Sequence, residues 1–495
     1  MNSTLILIII ISYFGVLMLI SHLTSKNASD ESFYTGDRKS PWQVVAFGMI
    51  GAVLSGVTFV SIPGMVGTNY FYYLQFVFGN VVGYIFITYV LIPIYYNLKL
   101  VSIYTYLETR FGIKTYKTGS LFFLISQSFG AALRLLLAAK ILQYAVFDEL
   151  NVPFYLTVLI ILLLIWLYTH KSGIKTIVWT DMLQTFFLLM AAIVSIYVVK
   201  DSLNLSFAET ITSVTNHKYF KVFDWDFNSG SNFFKQFISG ILIAVAMIGL
   251  DQNMMQKTLT CKNKKEAQNN ILTFSLILAV TQFLFLGLGV MLYLYAEKFG
   301  IQLEVENGKF INTDSLFPLL SLNHFGAIAS ISFILGITAA SFSSADSALT
   351  ALTTSFTYDF LDIQHKNSKE KKKLKNYVLL GFSAVIFIII MLFSQSKGNV
   401  ISTIFTVAGY TYGPLLGLYL FGIFTKIKVK DAAVPYICIL MPILTYCLDY
   451  IFITKFSFDL GFMNILVNAL LTILSLIIVQ TKNENQTNNR TIFKL

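Results

Sequence analysis

The chain has 495 residues, 56% hydrophobic and 12% charged, with a formal net charge of +10. A soluble domain carries about 25% charged residues. This composition therefore excludes a soluble protein with a single membrane anchor and points to an all-α chain that crosses a bilayer many times.

Apolar stretches of at least about 17 residues are candidate spans. Thirteen occur: 3–22, 42–69, 73–97, 118–146, 152–169, 175–199, 232–254, 270–296, 325–360, 376–394, 398–424, 432–451 and 459–480. The first has neither a basic n-region nor a clear small-residue cleavage site, so it reads as a retained transmembrane helix. The second contains Gly48, Gly51, Gly56, Pro63 and Gly64. Pro63 removes a helix hydrogen bond and the glycines loosen the turn, so a break is expected there. Backbone carbonyls freed in a membrane must be satisfied again or line a cavity, where they suit a hard cation such as Na⁺. A purely structural kink is the plainer alternative.

The fourth span carries Arg134, with nothing nearby in sequence to neutralise it. It either pairs with an internal carboxylate or receives a solute carboxylate by bidentate hydrogen bonding. The sixth carries Asp181, which either pairs with Lys175 or Lys171 at the interface or shares a cation with Ser343 and Ser347. The seventh includes Gly240 and ends in Gly249-Leu250-Asp251-Gln252-Asn253, where Asp251 serves either the interface or a solute. Irregular segments at matching positions of two five-helix sets, 42–199 and 232–424, are the mark of an inverted-repeat transporter.

In the ninth span, Ser343, Asp346, Ser347 and Thr350 share one helical face, with Phe342, Ala345 and Leu349 opposite. A carboxylate facing lipid at the bilayer centre costs about 3 kcal/mol, so this face is expected to look inward, at water, a partner or a cation. Serines and threonines also join membrane helices without any ligand.

Of the 35 Lys and Arg, 25 lie in the loops 23–40, 98–117, 170–175, 256–266, 362–375 and 425–430 and in the tail 481–495. Seven lie on the other side, and Arg134, Lys140 and Lys235 lie within spans. This asymmetry places the N-terminus outside and the C-terminus in the cytoplasm. The basic charge thus reports topology, and no nucleic-acid partner is expected. The long outer loops, 200–231 and 297–324, are expected to hold short helices over an entrance. The three cysteines show no disulfide or metal spacing. The five histidines lie in loops or at span ends, with no catalytic cluster. The expected organisation is an N-terminal extra helix and loop (1–40), a first five-helix repeat (41–200), an extracellular loop (201–230), a second repeat (231–425), two C-terminal helices (426–480) and a cytoplasmic tail (481–495).

Four stretches carry a resemblance to a known family. They are Ser55-Gly56-Val57-Thr58-Phe59-Val60-Ser61-Ile62-Pro63-Gly64, Gly249-Leu250-Asp251-Gln252-Asn253-Met254-Met255-Gln256-Lys257, Ser343-Ser344-Ala345-Asp346-Ser347 and Gly409-Tyr410-Thr411-Tyr412-Gly413-Pro414-Leu415-Leu416-Gly417. Together with the span pattern they resemble the sodium/solute symporter family of sodium-coupled sugar, proline, pantothenate and sialic acid carriers. The resemblance implies a LeuT-like inverted repeat and Na⁺-coupled uptake of a small solute by alternating access. It implies a carrier rather than an enzyme, monomeric, in the lipid bilayer of a bacterial plasma membrane. It also implies a main Na⁺ site built from the backbone oxygens of Gly51, Leu54 and Ala340 and the hydroxyls of Ser343 and Ser344. A second Na⁺ site, found in part of the family, would use Asp181, Ser343 and Ser347, with Asp346 standing where the family has a further hydroxyl. For the solute, the local pattern is similar to the sialic acid carriers at Ser55, Thr58, Phe71, Gln75 and Arg134, with Arg134 taking a sugar acid's carboxylate. Val53 stands where those carriers have a further hydroxyl, and Asp251 is an additional solute candidate. A proton-coupled carrier using Asp181 or Asp346, a Na⁺ carrier of a neutral sugar or amino acid, and a membrane sensor are the alternatives.

Overall fold

The computed structural model describes residues 3–26, 32–170, 173–303, 305–306, 309–310, 312–395 and 400–481. The principal helices are α1 (Ser3–Ser25), α2 (Trp42–Val53), α3 (Gly56–Asn69), α4 (Tyr73–Asn97), α5 (Ile113–Phe147), α6 (Phe154–Thr169), α7 (Ile174–Ser202), α8 (Phe233–Gly249), α9 (Gln252–Thr258), α10 (Lys264–Lys298), α11 (Ala327–Asp359), α12 (Ser368–Phe393), α13 (Val400–Phe424), α14 (Val434–Phe456) and α15 (Asn464–Ile478). Among the described residues the only strands are a two-residue antiparallel pair at Val305–Glu306 and Lys309–Phe310. The helices start on ordinary local signals. Asn232, Asn263 and Asn367 cap α8, α10 and α12 by accepting backbone N–H bonds of the first turn.

Ten of these helices are long and apolar enough to cross a membrane, and two bent pairs bring the number to twelve among the described residues. The expected thirteenth span is α6, whose sixteen residues rise only about 24 Å at 1.5 Å each. The bent pairs are α2/α3, at 60°, and α8/α9, at 68°. Each opens a set of five: α2/α3 to α7, then α8/α9 to α13. Helix α1 precedes the sets, and α14 and α15 follow. Short helices Phe207–Thr215 and Leu316–Asn323 lie in the two long loops, as expected. Of the expected tail only residue 481 is described.

The first break lies within the expected Gly48–Gly64 stretch. It falls at Leu54 and Ser55, whereas Pro63 lies inside the continuous helix α3. Packing decides this. A Cβ on Gly51 would come 2.4 Å from the Thr185 hydroxyl on α7, and one on Gly56 would come 2.7 Å from the Ser341 hydroxyl on α11. The two halves are therefore held against different helices, and the chain turns between them. Around Pro63 the helix is braced instead, since Tyr293 on α10 donates to the Gly64 carbonyl at 2.7 Å.

From Gly336 to Ser355 helix α11 is buried on every side. Phe342, Ala345 and Leu349 are as inaccessible as the polar residues, because Tyr13 and Phe14 of α1 pack on Phe342. The expected two-faced helix is thus a fully enclosed one, with α1 covering its apolar side.

Helices α4 and α8 meet almost backbone to backbone. A Cβ on Gly79 would lie 2.0 Å from the Phe237 carbonyl, and one on Gly240 would lie 2.2 Å from that of Phe76. Small residues permit such approaches in membrane helices. Gly79→Ala is expected to cost about 1–3 kcal/mol through overpacking, read as a lowered melting temperature of the purified protein. Gly381→Ala, at a position with nothing within 4 Å, is the control that should not lower it.

Candidate functional site

Three groups of residues converge on the two breaks. The first surrounds the α2/α3 turn. Among the described residues the carbonyls of Gly51 and Leu54 accept no backbone hydrogen bond across the turn. Ser344 of α11 reaches the same turn, its hydroxyl 3.3 Å from the Ala52 carbonyl. Ser343 donates to Asp181 Oδ1 at 2.6 Å, which leaves its oxygen lone pairs available. Bare carbonyls beside hydroxyls, buried away from water, form a donor set of the kind Na⁺ takes. The second break is built differently. Its carbonyls at Gly249 and Leu250 are capped by the phenols of Tyr95 and Tyr104 at 2.7 and 2.9 Å.

The second group surrounds Asp181, and here the structure corrects the sequence reading. Asp181 does not pair with Lys175, which bonds Asp37 at 2.9 Å; Lys171 lies outside the described residues. Its partner is Lys257 of α9, at 2.6 Å, with both side chains 1% exposed. Lys257 had been counted with the basic loop 256–266, and it is instead buried in the core. Asp346 is bound by Tyr168 of α6 at 2.7 Å and by Ser347 at 3.1 Å. The hydroxyl of Ser347 is therefore turned to Asp346. Asp181, Ser343, Asp346 and Ser347 are close together, with both Asp181 oxygens engaged by Lys257 and Ser343 and both Asp346 oxygens by Tyr168 and Ser347.

The third group lines a cavity of about 740 Å³, mouth included, between the two bent pairs. Ser55, Thr58, Arg134 and Asp251 reach it, as anticipated. Asp251 sits in the break itself and caps α9. It accepts from the Met254 N–H at 3.1 Å and from the Tyr412 hydroxyl. The membrane-interface position considered for it is therefore ruled out. Arg134 makes no hydrogen bond or ion pair within 4.0 Å among the described residues.

Phe71 and Gln75 do not reach the cavity. Phe71 packs on Phe220, with ring centres 4.8 Å apart. The Gln75 amide binds the loop before α8 at the Ser231 carbonyl and the Asp224 N–H. Helix α4 begins at Tyr73, and its cavity face is Tyr73, Phe76, Asn80 and Tyr84. The 71/75 pair lies on another side of that helix.

Sequence reasoning missed the amides. Asn80, Gln127, Asn253 and Gln282 line the cavity, and each carries a buried polar atom with no partner. Polar side chains within apolar spans were the signal that marked them. Orphaned buried groups cost free energy unless a ligand satisfies them. A vestibule beyond shares Tyr73 and Phe405 with the cavity, so these rings stand between the two. At the opposite end α5 is bolted to α11. Tyr116, Ser120 and Ser355 all donate to the Asp359 carboxylate, and Lys117 donates to its backbone carbonyl.

Comparison with known proteins bears on this arrangement. The Sodium:solute symporter family model matches residues 33–434. The sodium/sialic acid symporter NanT of Aliivibrio fischeri is 26% identical over 447 residues, covering 86% of this chain and 84% of that protein. The sodium/sialic acid symporter SiaT of Proteus mirabilis is 24% identical, covering 86% of each. The human sodium/iodide cotransporter is 24% identical over 80% of this chain and 61% of its own. Among solved structures, a substrate-bound, outward-open Na⁺-coupled sialic acid symporter superposes with a TM-score of 0.80 at 20% identity, covering 96% of this chain and 97% of that one. Mhp1, a nucleobase-cation-symport-1 family transporter in a closed conformation, superposes at 0.55 with 12% identity, covering 90% and 93%. These likenesses show the fold, the inverted five-helix repeat.

Proposed function

The chain belongs to the sodium:solute symporter family, and from that premise we propose that it imports a sugar acid of the sialic acid class together with Na⁺. It is a multi-pass membrane carrier, not an enzyme, and Na⁺ is its coupling ion. Arg134 carries the substrate reading. It is a guanidinium without an ion partner, facing a cavity whose amides are also unpartnered. A carboxylate satisfies the fork of Arg134 bidentately. Hydroxyls and an acylamino group supply donors and acceptors for Asn80, Gln127, Asn253 and Gln282. Two relatives named as sodium/sialic acid symporters support the same class.

Na⁺ would sit on the Gly51, Leu54 and Ala340 carbonyls and the Ser343 and Ser344 hydroxyls, joining α2 to α11. The hydrogen bond from Ser343 to Asp181 orients the serine's lone pairs toward the ion. Ser55 and Thr58, which begin the next half of the same bent span, line the solute cavity. Ordering the turn around Na⁺ therefore orders the solute site, and the solute must raise Na⁺ affinity by the same factor. A Na⁺ and the carboxylate anion together carry no net charge, so a one-to-one cycle draws on the Na⁺ concentration difference, each tenfold of which is worth about 1.4 kcal/mol. The basic-loop asymmetry supports an outside N-terminus, a cytoplasmic C-terminus and a vestibule open to the exterior in this conformation. One chain contains both sites, so the monomer is the working unit.

A thermal-shift measurement tests the reading. N-acetylneuraminic acid should raise the melting temperature of the purified protein in Na⁺ and much less in K⁺. Ser344→Ala should erase that difference. Equal stabilisation in both salts would remove Na⁺ coupling at this site. A response to neutral sugars but not to the acid would remove the substrate class.

A further inference from the structure

A single buried lysine changes how many ions this chain can carry. The ammonium of Lys257 lies 2.6 Å from Asp181 Oδ2, and both side chains are almost wholly inaccessible. The other carboxylate oxygen accepts the Ser343 hydroxyl at 2.6 Å. Ser347 donates to Asp346. Both oxygens of Asp181 are thus engaged, one of them by a positive charge, and Asp346, the other carboxylate of the cluster, is bound by Tyr168 and Ser347. A Na⁺ on the Asp181 carboxylate would sit within a few ångströms of the ammonium, in a region of low dielectric where like charges repel strongly. The residues of the second Na⁺ site therefore do not fit a second Na⁺.

We propose that the Lys257 ammonium is the resident occupant of the second cation position, so that the chain binds one Na⁺ per transport cycle. This inference rests on the reading that Na⁺ binds at the α2/α3 turn. The ammonium fills the electrostatic role of an ion while remaining attached to α9. It also links the two repeats, because Asp181 belongs to α7 of the first and Lys257 to the bent span of the second. Ser343 joins both positions, its hydrogen going to Asp181 and its lone pairs to the main Na⁺. The charge that would otherwise enter and leave with a second ion instead stays in the protein and moves only as α9 moves.

Equilibrium binding of ²²Na⁺ to the purified full chain, with no solute present, tests the proposal. Wild type should bind one Na⁺. Lys257→Met, which frees the carboxylate, should bind two, and Asp181→Asn/Lys257→Met should return to one. Two Na⁺ on the wild type overturns the proposal without any variant, and so does one Na⁺ on a folded Lys257→Met. Lys257→Gln serves in the same count if the methionine variant does not survive purification. No Na⁺ on the wild type would instead overturn the Na⁺ site at the α2/α3 turn, an outcome distinct from two.

Discussion

Arg134→Ala is expected to weaken binding of the sugar acid about 100-fold at saturating Na⁺, while Na⁺ binding without solute stays close to wild type. Two charge-assisted hydrogen bonds to one carboxylate contribute roughly 3 kcal/mol together, and each 1.4 kcal/mol is a factor of ten. The effect should be this large because the cavity offers no substitute cation. Among its lining residues only Arg134 carries a positive charge, and Asp251 opposes an anion. Arg134→Lys should recover part of the loss, since it keeps the charge but not the planar fork. Isothermal titration with N-acetylneuraminic acid measures both variants. An unchanged affinity in Arg134→Ala would show that the carboxylate is bound elsewhere.

The second large effect concerns stability. Asp181→Ala takes from the buried Lys257 ammonium the carboxylate it touches, leaving Asp346 as the nearby negative group, and breaking a buried pair from one side costs about 3–5 kcal/mol. Adding Lys257→Met removes the stranded charge and should restore most of the melting temperature. The two single variants should respond differently to salt. Lys257→Met strands a carboxylate, which Na⁺ can neutralise, so its melting temperature should climb with Na⁺. Asp181→Ala strands a cation, which Na⁺ cannot help. A melting series in Na⁺ and in K⁺ separates these outcomes. Wild-type stability in Asp181→Ala would mean that the pair contributes nothing.

Much of the architecture was legible because it obeys local rules. Span lengths, the polar stripe at Ser343–Ser347 and the irregular segments at two matching positions all follow from helix periodicity and from the cost of polar groups in lipid. What escaped depends on partners distant in sequence. Lys257 stands near Lys262, Lys264 and Lys265, and nothing local distinguishes a buried ammonium from a loop charge. Only the fold brings it to Asp181, 76 residues away. Proline is the strongest local breaker, so the expected broken stretch runs on to Pro63. Yet contacts from α7 and α11 to Gly51 and Gly56 decide where the chain turns. For Phe71 and Gln75 the spacing was sound but the helix starts at Tyr73, so its inward face falls on other residues. Asp251 was placed near a span end because α9 was not recognised as a continuation beyond the bend.

The two ends of the solute cavity are closed by different chemistry, and this sets an asymmetry in time. Toward the vestibule stand the rings of Tyr73 and Phe405, both packed on Phe76, and moving a side chain is faster than moving a helix. Toward the other end, the Tyr116 and Ser120 hydroxyls of α5 reach the buried Asp359 carboxylate and Lys117 its backbone carbonyl, and opening there requires these to let go while helices α5 and α11 separate. Collective helix movements belong to the microsecond-to-millisecond range. Solute and Na⁺ therefore exchange with the vestibule many times for each opening of the other end. Loading comes close to equilibrium before commitment, and the concentration giving half-maximal uptake reports binding affinity rather than a kinetic composite.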